Sequence, residues 1–189
     1  MTSLNLPKPL AGEGFSLRLL RRADAAAIAE ICQDPDIQRF TGLPSPFSRQ
    51  DAEDYLARTE SQAEAGTGAA FAVLVGDDSE IAGCAGLHHI RPYAGGVPAT
   101  ASVRVWLDPG HRRSGLATRV LRTIAAWAFD DLGLERLTAY YLPENEISRR
   151  LMQSVGFTNH GLLRSVTTRD DVPADLGYSD LLSSELKPA

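Results

Sequence analysis

The period of apolar and polar positions changes several times along the chain, and each change marks an element. Phe15-Ser16-Leu17-Arg18-Leu19 alternates with period two, the pattern of a strand with one buried face. Ala27, Ile28, Ile31 and Cys32 then recur at helical spacing behind Asp24, a residue suited to cap a helix N-terminus. Pro35 is expected to stop that helix and open a loop through Gly42-Leu43-Pro44-Ser45-Pro46. Ser48 followed by Asp51 resembles a capping box. Ala52, Tyr55, Leu56, Thr59 and Ala63 continue at helical spacing until Gly66. Phe71–Val75 and Ile81–Leu87 read as two strands of a hairpin around Gly76-Asp77-Asp78, the second closed by His88-His89 and a turn from Pro92 to Pro98.

The central stretch carries the strongest pattern. Val103, Val105 and Leu107 fall on one face of a strand with Trp106 on the other, and Asp108-Pro109-Gly110 ends it. Arg112-Arg113-Ser114-Gly115 then runs into a long helix with Leu116, Val120, Ile124, Trp127 and Ala128 on one face, finishing near Gly133. Arg136–Tyr141 is a further strand. Ile147, Leu151 and Val155 mark another helix, closed by Gly156 at a left-handed position with Phe157 packing back. Thr158–Ser165 and Tyr178–Leu186 are the last strands, on either side of an acidic loop from Arg169 to Leu176. Hairpins imply antiparallel pairs, and the central strand–helix–strand implies a parallel one. The expectation is a lead-in segment over residues 1–14 and one domain over 15–186. Its fold class is α/β (α+β), a mixed, mostly antiparallel seven-stranded sheet with helices on both faces.

Charge narrows the ligands. A net charge of −5 argues against bulk nucleic-acid binding and against an anionic membrane surface. An anionic ligand would need a local basic patch, and the loop at Arg112 is one. Unpaired N–H groups and the helix dipole make the start of the following helix a ready anion site, which nearby arginines strengthen. Cys32 and Cys84 lack metal-ligand spacing and suit buried thiols in a reducing compartment. No leader and no apolar run of membrane length stand out, so the expected location is cytoplasmic. His88 and His89 are adjacent on a strand and face opposite sides unless it is bulged, so no metal site is assigned. His160 reads as a residue of a surface turn. Trp106, Trp127, Tyr140 and Tyr141 read as packing residues, with one of the two tyrosines a candidate to line the acceptor cleft.

The order of elements resembles the GNAT superfamily of N-acetyltransferases over nearly the whole chain. Arg112-x-x-Gly115-x-Ala117 matches the family's pyrophosphate motif in its place between strand and helix. Pro143-Glu144-Asn145-Glu146-Ile147-Ser148, ending at Val155-Gly156-Phe157, resembles a block of the branch that holds the ribosomal-protein alanine N-acetyltransferases. Gly161-Leu162-Leu163-Arg164 and Tyr178-x-Asp180 also fit that branch. The resemblance implies a single-domain GNAT fold with a splayed central strand pair, and acetyl-CoA as acyl donor lying between the strands. Backbone groups of Trp106 and Leu107 would bond the pantetheine arm. N–H groups of Arg112, Arg113, Ser114, Gly115, Leu116, Ala117 and Thr118 would hold the pyrophosphate, and Asn145 the pantetheine. Ser148 would reach the thioester sulfur as the acid. The acceptor would be an amine, a protein N-terminus or a small molecule, attacking directly in a ternary complex.

Two residues depart from the family pattern. Ser102 stands where many members carry a glutamate base, and Met152 where many carry a tyrosine acid. An α-amino group with pKa near 8 is about 10% neutral at pH 7 against about 0.1% for a lysine-like amine, so a site without an assigned base leans toward an α-amine. His88, His89, Glu144 and Asp180 remain open as proton acceptors through water. A second reading is an acyl-CoA-binding sensor or interaction module that has lost catalysis. A dinucleotide-binding oxidoreductase fails for want of Gly-x-Gly-x-x-Gly. The resemblance is compatible with a homodimer, and the segments Pro35–Ser48, Arg91–Ala99 and Arg169–Leu176 are the expected acceptor-binding loops.

Overall fold

The structure, a computed structural model, describes residues 10–96, 99–169 and 172–187. Its elements run β1 (Leu10–Gly12), β2 (Phe15–Leu19), α1 (Ala25–Ile31), α2 (Pro35–Thr41), α3 (Arg49–Glu64), β3 (Gly68–Val75), α4 (Gly76–Ser79) and β4 (Glu80–Arg91). They continue as β5 (Thr100–Leu107), α5 (Leu116–Asp130), β6 (Arg136–Tyr141), α6 (Glu146–Val155), β7 (Thr158–Arg169) and β8 (Val172–Leu182). One sheet of eight strands holds the order β1-β2-β3-β4-β5-β6-β8-β7. Every pair is antiparallel except β5 with β6.

Strand alternation divides the core between the two faces. Ala69, Phe71 and Val73 of β3 face one cluster, while Ala70, Ala72 and Leu74 face the other. The first cluster is closed by α5 and α6 through Leu116, Val120, Ile124, Trp127, Met152 and Val155. Trp127 meets Phe71 edge-on, with ring centroids 5.4 Å apart. The second is closed by α1, α2 and α3 through Ile28, Ile37, Ala52 and Leu56. The capping box at Ser48 and Asp51 forms as expected. Gly156 is left-handed, and the N–H groups of Gly156 and Phe157 bond back to Gln153 and Met152, a Schellman closure that ends α6 on the core.

Several expectations are corrected. The sheet has eight strands, not seven, because Leu10–Gly12 pairs with β2; the remainder of the lead-in, residues 1–9, lies outside the described residues. Pro35 does not open a loop. It is the first residue of α2, where its missing N–H costs nothing, and the side chain of Asp34 caps that helix. Asp24 precedes α1 without capping it, since its carboxylate takes a two-pronged bond from Arg18. Gly76–Ser79 is a helical turn, and β4 runs on past His88-His89 to Arg91. Ile147 breaks from the apolar stripe of α6 and is 74% exposed. The acidic loop is replaced by strand: β7 and β8 form a long hairpin in which residues 172–176 pair with β7 alone, residues 170 and 171 lying outside the described residues. The turn from Pro92 to Pro98 likewise includes undescribed residues, 97 and 98.

Gly177 of β8 lies opposite Tyr141 of β6, and a Cβ there would come within 2.2 Å of the Tyr141 ring. That ring is pinned, its hydroxyl bonded to Ser179 and receiving the Asn159 amide. Gly177→Ala should therefore destabilise the protein by about 1–3 kcal/mol, the usual cost of forcing a tight contact apart. Urea unfolding checks this, and a loss under 0.5 kcal/mol would contradict the packing.

Candidate active site

The only parallel step in the sheet is short. β5 and β6 pair through Thr100–Arg136, Ala101–Leu137 and Ser102–Thr138, and no pair follows. Beyond Ser102, β5 stays with β4 up to Leu107–Gly83, and β6 stays with β8 up to Tyr141–Gly177. The strands thus part like a fork, with Ser102 and Thr138 at its crotch and their hydroxyls 2.9 Å apart. The Asp108 N–H bonds the Ala82 carbonyl, which sets the ladder phase: Trp106 turns its backbone groups to β4, whereas Val105 and Leu107 turn theirs toward the gap, the Leu107 carbonyl receiving the Arg112 guanidinium. Backbone groups with no strand opposite them are the edge on which an extended amide chain can add.

Both helices that follow the parted strands start at the mouth of the gap. α5 begins at Gly115, a left-handed residue (φ 76°) with no side chain to cap the helix, and Arg113 (φ 61°) is left-handed too. The first-turn N–H groups of Ala117 and Thr118 therefore have no side-chain cap, and that of Leu116 only a long contact to the Ser114 hydroxyl. Arg119 curls back and donates to the Ser114 carbonyl, closing the loop behind them. On the other side Asn145 caps α6 by accepting from the Ser148 N–H at 2.9 Å. That leaves the Asn145 amide N–H₂ and the half-buried Ser148 hydroxyl without a described partner. Thr118 and Ser154 bond hydroxyl to hydroxyl at 3.0 Å and tie the two helices together.

α2, which periodicity did not reveal, braces this mouth. The Arg112 guanidinium donates to the Leu107 carbonyl at 3.0 Å and to Asp34 at 2.6 Å, with Asp36 at 3.6 Å. Arg39 on the same helix lies 3.8 Å from Glu144 in the β6–α6 loop. Burial works against the Asp34 carboxylate, but the Arg112 bond and the Ile37 N–H outweigh it and hold its pKa below the usual range. Arg112 is therefore an internal clamp as well as the first residue of the loop.

The face of the fork opposite α5 carries the polar residues. Ser102 on β5, Thr138 on β6 and Asp180 on β8 form one row across three strands, which His160, at a bulge of β7, extends through its side chain. Thr138 lies opposite Asp180, and Asp180 bonds His160 at 2.8 Å. Tyr178 stacks beside them between Tyr140 and His160, at 5.5 Å from each. His160 is thus a strand residue in this row and not part of a surface turn. His88 of β4 lies opposite Ser102 and is half-buried. Burial, then Arg104, His89 and Arg58, lower its pKa to about 4, so it is neutral at pH 7. Met152 is buried in the core and offers no proton. Cys32 and Cys84 are free and buried, with thiols pushed up to about 12 chiefly by burial. No group of three or more His, Cys, Asp or Glu among the described residues is arranged to hold a metal. No described helix is long and apolar enough to cross a membrane.

Of the residues singled out from the sequence, Leu107, the loop from Arg112 to Thr118, Asn145 and Ser148 converge on the mouth of the fork. The Trp106 backbone does not, being committed to β4, and Val105 takes that place. Sequence reasoning missed α2, for which Asp34-Pro35 was the available signal, and the polar row, whose members are scattered over nearly eighty positions.

Comparison with known proteins agrees with this geometry. The profile of the acetyltransferase (GNAT) domain family matches residues 15–158. The uncharacterized N-acetyltransferase YoaA of Bacillus subtilis is 26% identical over 84% of this chain and 88% of its own. The L-amino acid N-acyltransferase MnaT of Escherichia coli is 29% identical over 90% of this chain and 95% of its own. Among solved structures, Mycobacterium smegmatis RimJ in complex with a CoA-disulfide superposes with a TM-score of 0.81 and 23% identity, covering 93% of this chain and 85% of that one.

The brace makes a pH-dependent prediction. Asp34→Asn removes the ion pair with Arg112 and weakens the α2 cap, and should cost about 2 kcal/mol at pH 7. Because folding lowers the Asp34 pKa, this contribution is complete above its unfolded pKa of about 3.9 and fades as pH falls through the folded value. Urea titrations of the two proteins should therefore stay apart down to about pH 4 and converge as pH falls from there toward about 2. A gap that is constant over this range would refute the assignment.

Proposed function

Because the chain belongs to the GNAT family of N-acetyltransferases, we propose that it moves the acetyl group of acetyl-CoA to an α-amine by direct attack within a ternary complex. The observation that carries this reading is the fork: a gap between β5 and β6 whose mouth is flanked by two helix N-termini, one of them uncapped. The diphosphate lies on the N–H groups from Arg112 to Thr118, where the α5 dipole favours negative charge. Gly115 is required there because its φ of 76° is strained for any residue with a side chain. The pantetheine adds beside β5, along the backbone groups of Val105 and Leu107, with Asn145 donating from the opposite side.

In the chemical step the amine nitrogen bonds the thioester carbonyl carbon, and an N–H of β5 facing the gap stabilises the oxyanion. The C–S bond then breaks, and the departing thiolate takes the proton of the Ser148 hydroxyl, which is regained from solvent. The amine's surplus proton leaves through water along the row from Ser102 and Thr138 to the Asp180–His160 pair. An α-amine suits this site, since no carboxylate stands at Ser102 and a fraction of such amines is already neutral at pH 7. The likeness to MnaT, named for L-amino acids, supports an α-amine acceptor as well.

A thiol-release assay with acetyl-CoA and a panel of amines tests the reading. Turnover of α-amines is expected. Tight acetyl-CoA binding with no turnover of any amine would replace it with the sensor reading, for which the departures at Ser102 and Met152 speak. Gly115→Glu should weaken acetyl-CoA binding at least tenfold by calorimetry in a protein that melts near the parent temperature, and unchanged affinity would remove the diphosphate from this loop. Ser148→Ala should lower kcat about a hundredfold or more, the usual range for proton transfer by a positioned side chain, while the acetyl-CoA Kd moves less than threefold. Equal kcat values would take Ser148 out of the mechanism.

A further inference from the structure

The open face of the fork is not evenly charged. On the β5 arm, Arg104 lies two residues beyond Ser102 and so projects from the same face about 6–7 Å along the strand. His88 stands directly across from Ser102 on β4. Helix α3 packs over β3 and reaches β4, the neighbour of this arm, with the Tyr55 hydroxyl 3.4 Å from the Cys84 sulfur and Arg58, one turn on, over the Tyr55 ring at 5.7 Å. Arg58 and Arg104 are both exposed, and among the described residues neither has an ion-pair partner.

Four carboxylates of α3 near Arg58 are engaged by other groups. On α3 itself Asp51 serves the Ser48 cap, Glu53 pairs with Arg49, Asp54 receives the Gln50 amide and Glu60 pairs with Arg22. Both guanidiniums lie close enough to His88 to add, with His89, to the burial that favours its neutral form. In a chain of net charge −5, this is a deliberate concentration of positive charge beside the point where β5 and β6 part. Across the fork the row carries one carboxylate, Asp180, opposite Thr138 and bonded to His160, with Arg136 of β6 acting on the neighbouring Tyr178.

We infer that Arg58 and Arg104 bind an anionic group on the acceptor, so that the preferred substrate is an amine carrying a carboxylate. The amine sits over the crotch on the Asp180 side, and its carboxylate reaches the two guanidiniums, which can grip it with paired N–H bonds. A free amino acid offers its own α-carboxylate, and a peptide with a free N-terminus offers an acidic side chain close to it. Polyamines, which would set further positive charge against the arginines, are disfavoured. This inference rests on the acetyltransferase reading above and names its acceptor class.

The test is the thiol-release assay on matched acceptors of equal size: L-methionine against L-methionine amide, and the peptide Ala-Glu-Ala amide against Ala-Gln-Ala amide, with spermidine as the polycation. The carboxylate-bearing member of at least one pair should show a kcat/KM at least tenfold higher than its neutral partner. The first pair reports a free amino acid and the second an acidic peptide N-terminus. In Arg104→Gln and Arg58→Gln the ratio should fall toward one, while Arg104→Lys keeps part of it. Acetyl-CoA affinity and melting temperature, measured alongside, separate a lost contact from a lost fold. Turnover with ratios near one in both pairs, a preference for spermidine, or ratios unmoved by the arginine substitutions would overturn the anion site and leave the acetyltransferase reading standing. Acetyl-CoA binding without turnover of any acceptor would overturn both.

Discussion

The parting of β5 from β6 after three paired residues is the constraint on which the rest of this structure depends. A parallel pair would normally continue, because each unpaired N–H and C=O costs free energy when removed from water. Here both strands are drawn outward by antiparallel partners that hold them almost to their ends, β5 by β4 and β6 by β8. The inner edges are left open, and the connections to α5 and α6 deliver two helix N-termini to the mouth of the same opening. Backbone donors, helix dipoles and the polar row at the crotch are all positioned by this one departure from regular pairing.

The opening is stabilised by side chains as well as by strands. Arg112 ties the β5–α5 loop to Asp34 on α2, and Arg39 brings the same short helix toward Glu144 in the β6–α6 loop. α2 therefore touches both lips of the gap, and a helix from the α1–α3 side is coupled mechanically to the loop in which we place the diphosphate. Thr118 and Ser154 fasten the two lips on the other side, through α5 and α6.

Charge is distributed over the fork with the same economy. Basic residues gather at the α5 loop and on the β5 arm, while Asp180, paired with His160, stands on β8 at the other side. The overall negative charge of the chain conceals this separation, because net charge reports on the whole surface and a site responds to the few groups within a Debye length of it. A donor rich in phosphate and an acceptor that is both amine and acid would each meet a complementary surface.

Much of this was legible in the residues. The long helix from Leu116, the strand before it, the capping box at Ser48 and the closure at Gly156-Phe157 follow from periodicity and capping chemistry, which act over one or two turns and are written locally. The spacing of Arg112, Gly115 and Ala117, with the block around Asn145 and Ser148, carried the family resemblance because both blocks lie within single turns. What the chain did not disclose depends on partners far away in sequence. Pro35 begins a helix instead of ending one because Asp34 caps it and Arg112 anchors it across the fold. Trp106 turns its backbone away from the gap because the phase of a β-ladder is set by the neighbouring strand. Ser102, Thr138 and Asp180 form a row only after three strands take their register, and His160 joins it from a bulge of the fourth. Local patterns determined the elements and the two motifs; long-range pairing decided which groups meet, since hydrogen-bond direction and charge compensation belong to neighbours in space.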